Sequence, residues 1–298
     1  MNLYDALARA RTSIANLPCL PGVLSPLKPQ IPWSELCKAN YETPHYFHSA
    51  VFRALVPVYA PFRGVPHLPS EVPDDATTLT RDQEAWYFLN GICTDRNVLR
   101  LNGRALANLF GRRIYLMHNP SDGILLDLLE CAAGRTMQII STLDTSVSQI
   151  LEQALREHRK VVLLVHSQGG IIATGALYQL QRRLTGDDHR LLKKLEIYTF
   201  ASAATEMKLE GAYAEHFYHT RDYVARIGVA GSPCQFDGRH FQYRASGHLF
   251  NTHYLYNLCQ GRFTCTDGRA SRLTGYLSTR HNRARPAAKA NRGQLAAV

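Results

Sequence analysis

Val161-Val162-Leu163-Leu164-Val165-His166-Ser167-Gln168-Gly169-Gly170 decides the fold. Residues 161–165 carry no polar side chain, as in a strand of a parallel sheet covered on both faces. The run enters His166-Ser167-Gln168 without a spacer, and residues 169–184 then repeat apolar positions at helical spacing. A strand, a sharp turn with serine at its apex and a helix form the context that a nucleophile elbow requires. Such a turn strains the serine backbone and lifts its hydroxyl above the sheet. Gly169 relieves the crowding around it, and Gly170 lets the helix approach the strand. The helix N-terminus behind Ser167 favours negative charge developing there.

The same rhythm extends outward in both directions. Strands are expected at Ala85–Leu89, Arg113–Met117, Glu196–Ala201, Glu215–His219 and His240–Arg244. Helices are expected at Val98–Phe110, Gly123–Gly134, Val147–His158, Gly169–Leu184 and Leu249–Cys259. Strands separated by helices imply an α/β fold: a mostly parallel central sheet with helices on both faces. Residues 81–268 read as that core, in one domain with no internal repeat. Residues 1–80 are irregular, with prolines at 18, 21, 26, 29, 32, 57, 61, 66, 69 and 73 that remove donors and fix φ. An amphipathic helix is expected within residues 1–16, and a helix running into a short strand over His45–Val58. This arm reads as a wrapping segment, or as a lid or wall over a pocket.

The 298 residues are 45% hydrophobic and 19% charged, enough for a large core and unlike a disordered chain. No apolar run reaches the ~20 residues of a membrane span. Asp5, Arg9 and Arg11 interrupt the place where a signal peptide keeps its apolar region, so a cytoplasmic location is expected. The seven cysteines include no C-x-x-C pair, against both a disulfide framework and a structural zinc site. The net charge of +10 brings nucleic acid to mind. Seven of those cations, from Arg269 to Arg292, follow the last acidic residue, Asp267. Residues 269–298 therefore read as a basic, disordered tail with weak contact to anionic surfaces, and no nucleic-acid partner is expected. The fifteen tyrosines are dispersed and form no stacking platform. No glycine-rich phosphate loop opens a helix, so no cofactor is implied, and no metal site.

The elbow resembles that of the α/β-hydrolase-fold serine hydrolases, the lipase/esterase superfamily, with Val165 where the G-x-S-x-G pattern has its first glycine. Several segments together are similar to poorly characterised lipase-like hydrolases of fungi and other microbes. They are Asn90-Gly91-Ile92-Cys93, His118-Asn119-Pro120 with Gly123, Ile124 and Asp127, His166–Gly170, and Gly247-His248 with His253-Tyr254-Leu255. The resemblance covers roughly residues 85–258. It implies the α/β-hydrolase fold and a triad in the order serine, acid, histidine, with acid and base on loops at the carboxyl edge of the sheet. Ser167 is then the nucleophile. Asp222 follows an expected strand directly and is the leading acid, with Asp237 as rival; Asp187 and Asp188 read as solvated. His248, after Gly247 on a strand-to-helix loop, is the leading base, with His253 as rival. Oxyanion donors are expected from the backbone of Gln168 and from Gly91 or Ile92, where glycine frees the backbone to turn an amide inward. The substrate implied is an ester of a lipid or small molecule. Acyl transfer to an alcohol and ring closure on the same triad are alternatives, as is a non-catalytic binding protein that keeps the fold. Oligomeric state is not legible. His45 and His48 read as part of a packed arm.

Overall fold

Among the residues that the computed structural model describes (11–27, 33–55, 70–74, 83–91, 94–119, 137–265 and 267–278), seven strands form one sheet. They are β1 (Glu84–Leu89), β2 (Ile114–Met117), β3 (Lys160–His166), β4 (Leu195–Phe200), β5 (Tyr213–His219), β6 (Arg239–Tyr243) and β7 (Thr264–Cys265). The spatial order is β2-β1-β3-β4-β5-β6-β7; the first six are parallel and β7 runs antiparallel to β6. The major helices are α1 (Pro44–Leu55), α2 (Arg96–Phe110), α3 (Met137–Glu157) and α4 (Gly169–Arg183).

β1 connects through α2 to its neighbour on one side, whereas β3 connects through α4 to its neighbour on the other. Right-handed crossovers therefore set α2 on one face and α4 on the opposite one. α3 packs against α4 on that second face. Both faces of the central strands are covered, which is why Val161 to Val165 are fully buried. Truncating a leucine in such a core costs about 2–5 kcal/mol. Adjacent strands whose connections depart in opposite directions leave a crevice at their carboxyl ends, where sheets of this kind hold ligands. Here the crevice lies between β1 and β3. Register makes their ends level, with Leu89 beside Val165.

Several expectations shift. α3 begins ten residues before Val147, through the run Ser141-Thr142-Leu143-Asp144-Thr145-Ser146. Hydroxyl and β-branched residues have poor helix propensity, and packing on α4 overrides it. The Asp187 loop is a 3-10 helix (Gly186–Lys194), and a short helix (Tyr223–Ile227) follows β5. Residues 250–255 have π-helical pairing before α-helix resumes at 256. The two-residue strand β7 was too short to show a pattern. The expected helix Gly123–Gly134 lies outside the described residues, as do the strand part of His45–Val58 and residues 1–10. Among the described residues no helix is long and apolar enough to cross a membrane.

The core does not end at 268. Leu273 is fully buried and Leu277 nearly so. Ser271 caps a helix (Arg272–Gly275), and its hydroxyl donates to the buried Glu215 at 2.6 Å, alongside the Arg272 N–H. Arg272 and the Tyr276 hydroxyl reach Glu196 at 2.9 and 2.8 Å. The expectation of a disordered tail from residue 269 does not hold for residues 271–278, where the run of cations masked two leucines and a serine cap. Residues 279–298 lie outside the described residues.

One buried carboxyl between α3 and α4 carries a stability prediction. Asp144 presses on Gly175, where a Cβ would come within 1.9 Å of its Oδ2, and its Oδ1 has no hydrogen-bond partner among the described residues. Burial pushes its pKa up to about 7. The folded state therefore holds this proton more tightly than the unfolded chain, whose aspartate titrates near ~3.9. Its contribution is fully present below that value and is lost as pH rises to about 7. Asp144→Asn should match the parent protein near pH 4 and exceed it by about 1–3 kcal/mol at pH 8. Equal thermal denaturation midpoints for the two proteins at pH 8 would refute the account.

Candidate active site

Ser167 follows β3 with φ +59°, a left-handed conformation costing a non-glycine residue roughly 1–2 kcal/mol. Its surroundings enforce it. The Ser167 N–H donates to the Phe200 carbonyl at 2.9 Å, and its own carbonyl accepts from Gly170 and Ala203 at 3.0 Å each. These bonds fix the elbow with Val165 two residues earlier. A Cβ on Gly169 would lie 2.8 Å from the carbonyls of Leu89 and Asn90, so β1 approaches the elbow as closely as backbone allows. Gly91 does the same from the other side: a Cβ there would stand 2.5 Å from Ser167 Cβ and 3.0 Å from its Oγ.

The Ser167 hydroxyl donates to His248 Nε2 at 2.8 Å, and His248 Nδ1–H donates to Asp222 Oδ2 at 2.8 Å. Three loops after β3, β5 and β6 thus meet at the carboxyl edge. Asp222 is fully buried. Its Oδ1 accepts from the Val224 N–H at 3.0 Å, capping the 223–227 helix, and its Oδ2 also accepts from the Tyr254 hydroxyl at 2.7 Å. Burial alone would raise this carboxyl, but the His248 imidazole and the donated hydrogen bonds bring it below the ordinary aspartate value. Asp222 therefore stays ionised beside His248. A hydroxyl bonded to an imidazole that is itself bonded to a buried carboxylate can lose its proton as it attacks an electrophile, and the imidazolium so formed is stabilised.

Three further histidines hold the loop carrying His248. His166 Nε2–H donates to the His248 carbonyl at 2.9 Å, and His219 Nδ1–H to that of Gly247 at 3.0 Å. His253 Nδ1 accepts the Leu249 N–H at 2.9 Å, while its Nε2–H donates to the Pro26 carbonyl at 3.0 Å. Burial lowers all three, His219 to about 4 and His166 well below the usual histidine range. They remain neutral, so no second cation opposes an imidazolium at His248.

The rival residues stand elsewhere. His253 has both ring nitrogens committed to backbone groups and does not reach Ser167. Asp237 lies before β6, at the opposite edge of the sheet; it accepts from the Leu209 N–H and pairs with Lys208 at 3.6 Å. Asp188 is exposed and pairs with Arg156 at 2.9 Å. His45 and His48, expected to pack as part of the arm, are instead exposed on α1.

Of the expected oxyanion donors, Gln168 and Gly91 flank Ser167, and Ile92 lies outside the described residues. A buried amide network supports this region. Asn119 Nδ2 donates to Gln168 Oε1 at 2.7 Å, and Asn90 Oδ1 accepts the Asn119 N–H at 2.7 Å. Asn90 Nδ2 donates to the Gly91 carbonyl at 2.7 Å. α4 has no side-chain cap at its start. Sequence reasoning missed the Tyr254 hydroxyl, the His166 ring and the amide network. Asn119 at the end of β2 was a visible signal, since strand ends at the carboxyl edge face one another. Among the described residues no group of three histidine, cysteine or acidic side chains is placed to hold a metal ion. Compared with known proteins, the chain matches no family model and no curated protein.

Proposed function

We propose that the protein is a serine hydrolase of the α/β-hydrolase fold that cleaves an ester of a lipid or small molecule through an acyl-enzyme. The observation that carries this reading is the continuous hydrogen-bonded relay from Ser167 through His248 to the buried Asp222, at the switch point of the sheet. The strained φ at Ser167 and the order serine, aspartate, histidine along the chain agree with it.

In this mechanism Ser167 Oγ attacks the acyl carbonyl carbon while His248 Nε2 takes the hydroxyl proton. Asp222, held by Tyr254 and Val224, stabilises the resulting imidazolium and keeps Nδ1 protonated. The negative charge on the former carbonyl oxygen faces the backbone N–H of Gln168, at the start of α4, and the backbone around Gly91. His248 then returns the proton to the departing alkoxide, leaving Ser167 acylated. Water enters and gives a proton to Nε2 as its oxygen attacks the acyl carbon; the tetrahedral intermediate then expels Ser167 Oγ, which takes that proton back, and the acid leaves.

A fluorophosphonate probe tests this directly. The full chain should become labelled stoichiometrically at Ser167, as read by peptide mass spectrometry. Prior exposure to a short-chain p-nitrophenyl ester should leave a transient acyl group on the same residue. A native chain that resists the probe, or labels elsewhere, would remove the basis of the reading.

A further inference from the structure

The N-terminal arm touches the relay at both of its supports. Leu20, Val23 and Leu24 pack against Tyr223 and Val224, on the short helix that Asp222 caps. Beyond them the arm bonds along the loop and helix that follow β6. The His248 N–H donates to the Val23 carbonyl at 2.7 Å, the Ser246 hydroxyl to the Ser25 carbonyl at 3.3 Å, and the His253 ring to the Pro26 carbonyl. The segment Trp33–Glu35 then returns to the start of the helical turn at 250–255. Glu35 is buried, and its carboxylate accepts the backbone N–H groups of Asn251 at 2.6 Å and Thr252 at 2.9 Å. It also accepts the Thr252 hydroxyl at 2.6 Å. Helix starts leave N–H groups without intrahelical partners, normally satisfied from the residue just before the helix. Leu249 occupies that position here and supplies no side-chain cap. The cap comes instead from a residue more than two hundred positions earlier.

From this placement we infer that the arm is a strap that positions the base, with Glu35 as its principal positioning residue. The inference rests on the proposed hydrolase reading for its consequence in catalysis. His248 stands on a loop between a glycine with φ +94° and the capped helix. Loop backbone of that kind has several conformations open to it, and the strap selects the one that aims Nε2 at Ser167. Glu35 touches no reacting atom. Its effect on rate passes through the geometry of His248, and misplacement of a reacting group by about 1 Å is enough to cost 10²-fold.

The test uses the full chain and two readouts. One is the rate of fluorophosphonate labelling at Ser167. The other is the deshielded proton of His248 Nδ1–H in proton NMR, assigned by its absence from His248→Ala. Glu35→Ala should slow labelling on the order of 10²-fold, at a temperature where circular dichroism shows native helix content, and should broaden or remove the His248 signal. Turnover of a p-nitrophenyl ester should fall in kcat with KM little changed. Glu35→Gln keeps one acceptor oxygen and should recover most of the rate. Thr252→Val removes one donor to Glu35 at nearly constant volume; it should give a smaller loss in the same direction, and it carries the test if Glu35→Ala does not fold. A folded Glu35→Ala or Thr252→Val that retains both the parent labelling rate and the parent His248 signal overturns the strap. A parent chain that shows the His248 signal but does not label overturns the hydrolase reading, and the NMR comparison still decides the strap. A parent chain that neither labels nor shows the signal overturns both.

Discussion

Ser167→Ala should lower turnover of activated esters by about 10⁶-fold, with the fold unchanged. The hydroxyl lies at the end of a relay in which each member serves the next, so removing any one leaves the others without a task. His248→Ala should cost a similar factor, and the Ser167→Ala/His248→Ala double variant should be little worse than either. Asp222→Asn keeps the shape, yet its amide can donate to the imidazole and favour the wrong tautomer; a loss of about 10⁴-fold is expected. Asp237→Asn, at the opposite edge of the sheet, should leave turnover unchanged. Steady-state kinetics on active-site-titrated protein decide the matter. Near-parent turnover in Ser167→Ala would end the serine mechanism, and independent, additive losses would show that the residues do not act as a unit.

Truncation after Gly268 should unfold the protein or lower its melting temperature by well over 10 °C. The removed segment buries Leu273 and Leu277. Losing each side chain costs about 2–5 kcal/mol. Glu215 loses the Ser271 hydroxyl and two backbone donors, and Glu196 loses Arg272 and the Tyr276 hydroxyl. Stripping the partner from a buried charge adds about 3–5 kcal/mol. Together these approach the whole stability of an ordinary domain, about 5–15 kcal/mol. Truncation after Ser278 removes none of these interactions and should leave the melting temperature in place. Differential scanning calorimetry of the two truncations gives the comparison; a chain ending at 268 that melts with the parent would show the segment to be dispensable.

The contrast between those two experiments reflects what the sequence makes legible. Residues 161–170 show strand, turn and helix because each step is a local property: branched apolar residues, then small ones, then helical periodicity. The placement of Ser167, Asp222 and His248 at one edge follows from the strand ends, and the roles proposed for them follow from the resemblance. Their meeting at 2.8 Å is a further fact of packing that the edge argument makes reasonable. The arm's hold on the His248 loop, the Tyr254 hydroxyl and the Ser271–Ser278 segment were not legible for one shared reason. Each acts on residues far away in the chain, and its local pattern looks ordinary. Glu35 sits among prolines with nothing nearby to mark a helix cap, because the helix it caps begins at residue 250. Arg272 counted as one more cation in a basic tail, although its partner is a buried glutamate on β4.

The bonds between the arm and the loop after β6 join residues 216 to 227 positions apart. Contacts of such separation close late, because the entropy of so large a loop must be paid before they form. During synthesis the strands up to β5 emerge and can pair while the arm still waits for its partner. The hydrogen-bonded relay is then assembled by the same event that ties the arm to the loop after β6, so the proposed chemistry becomes available only late in folding. Refolding followed by fluorophosphonate capture should accordingly lag behind recovery of the sheet signal in circular dichroism.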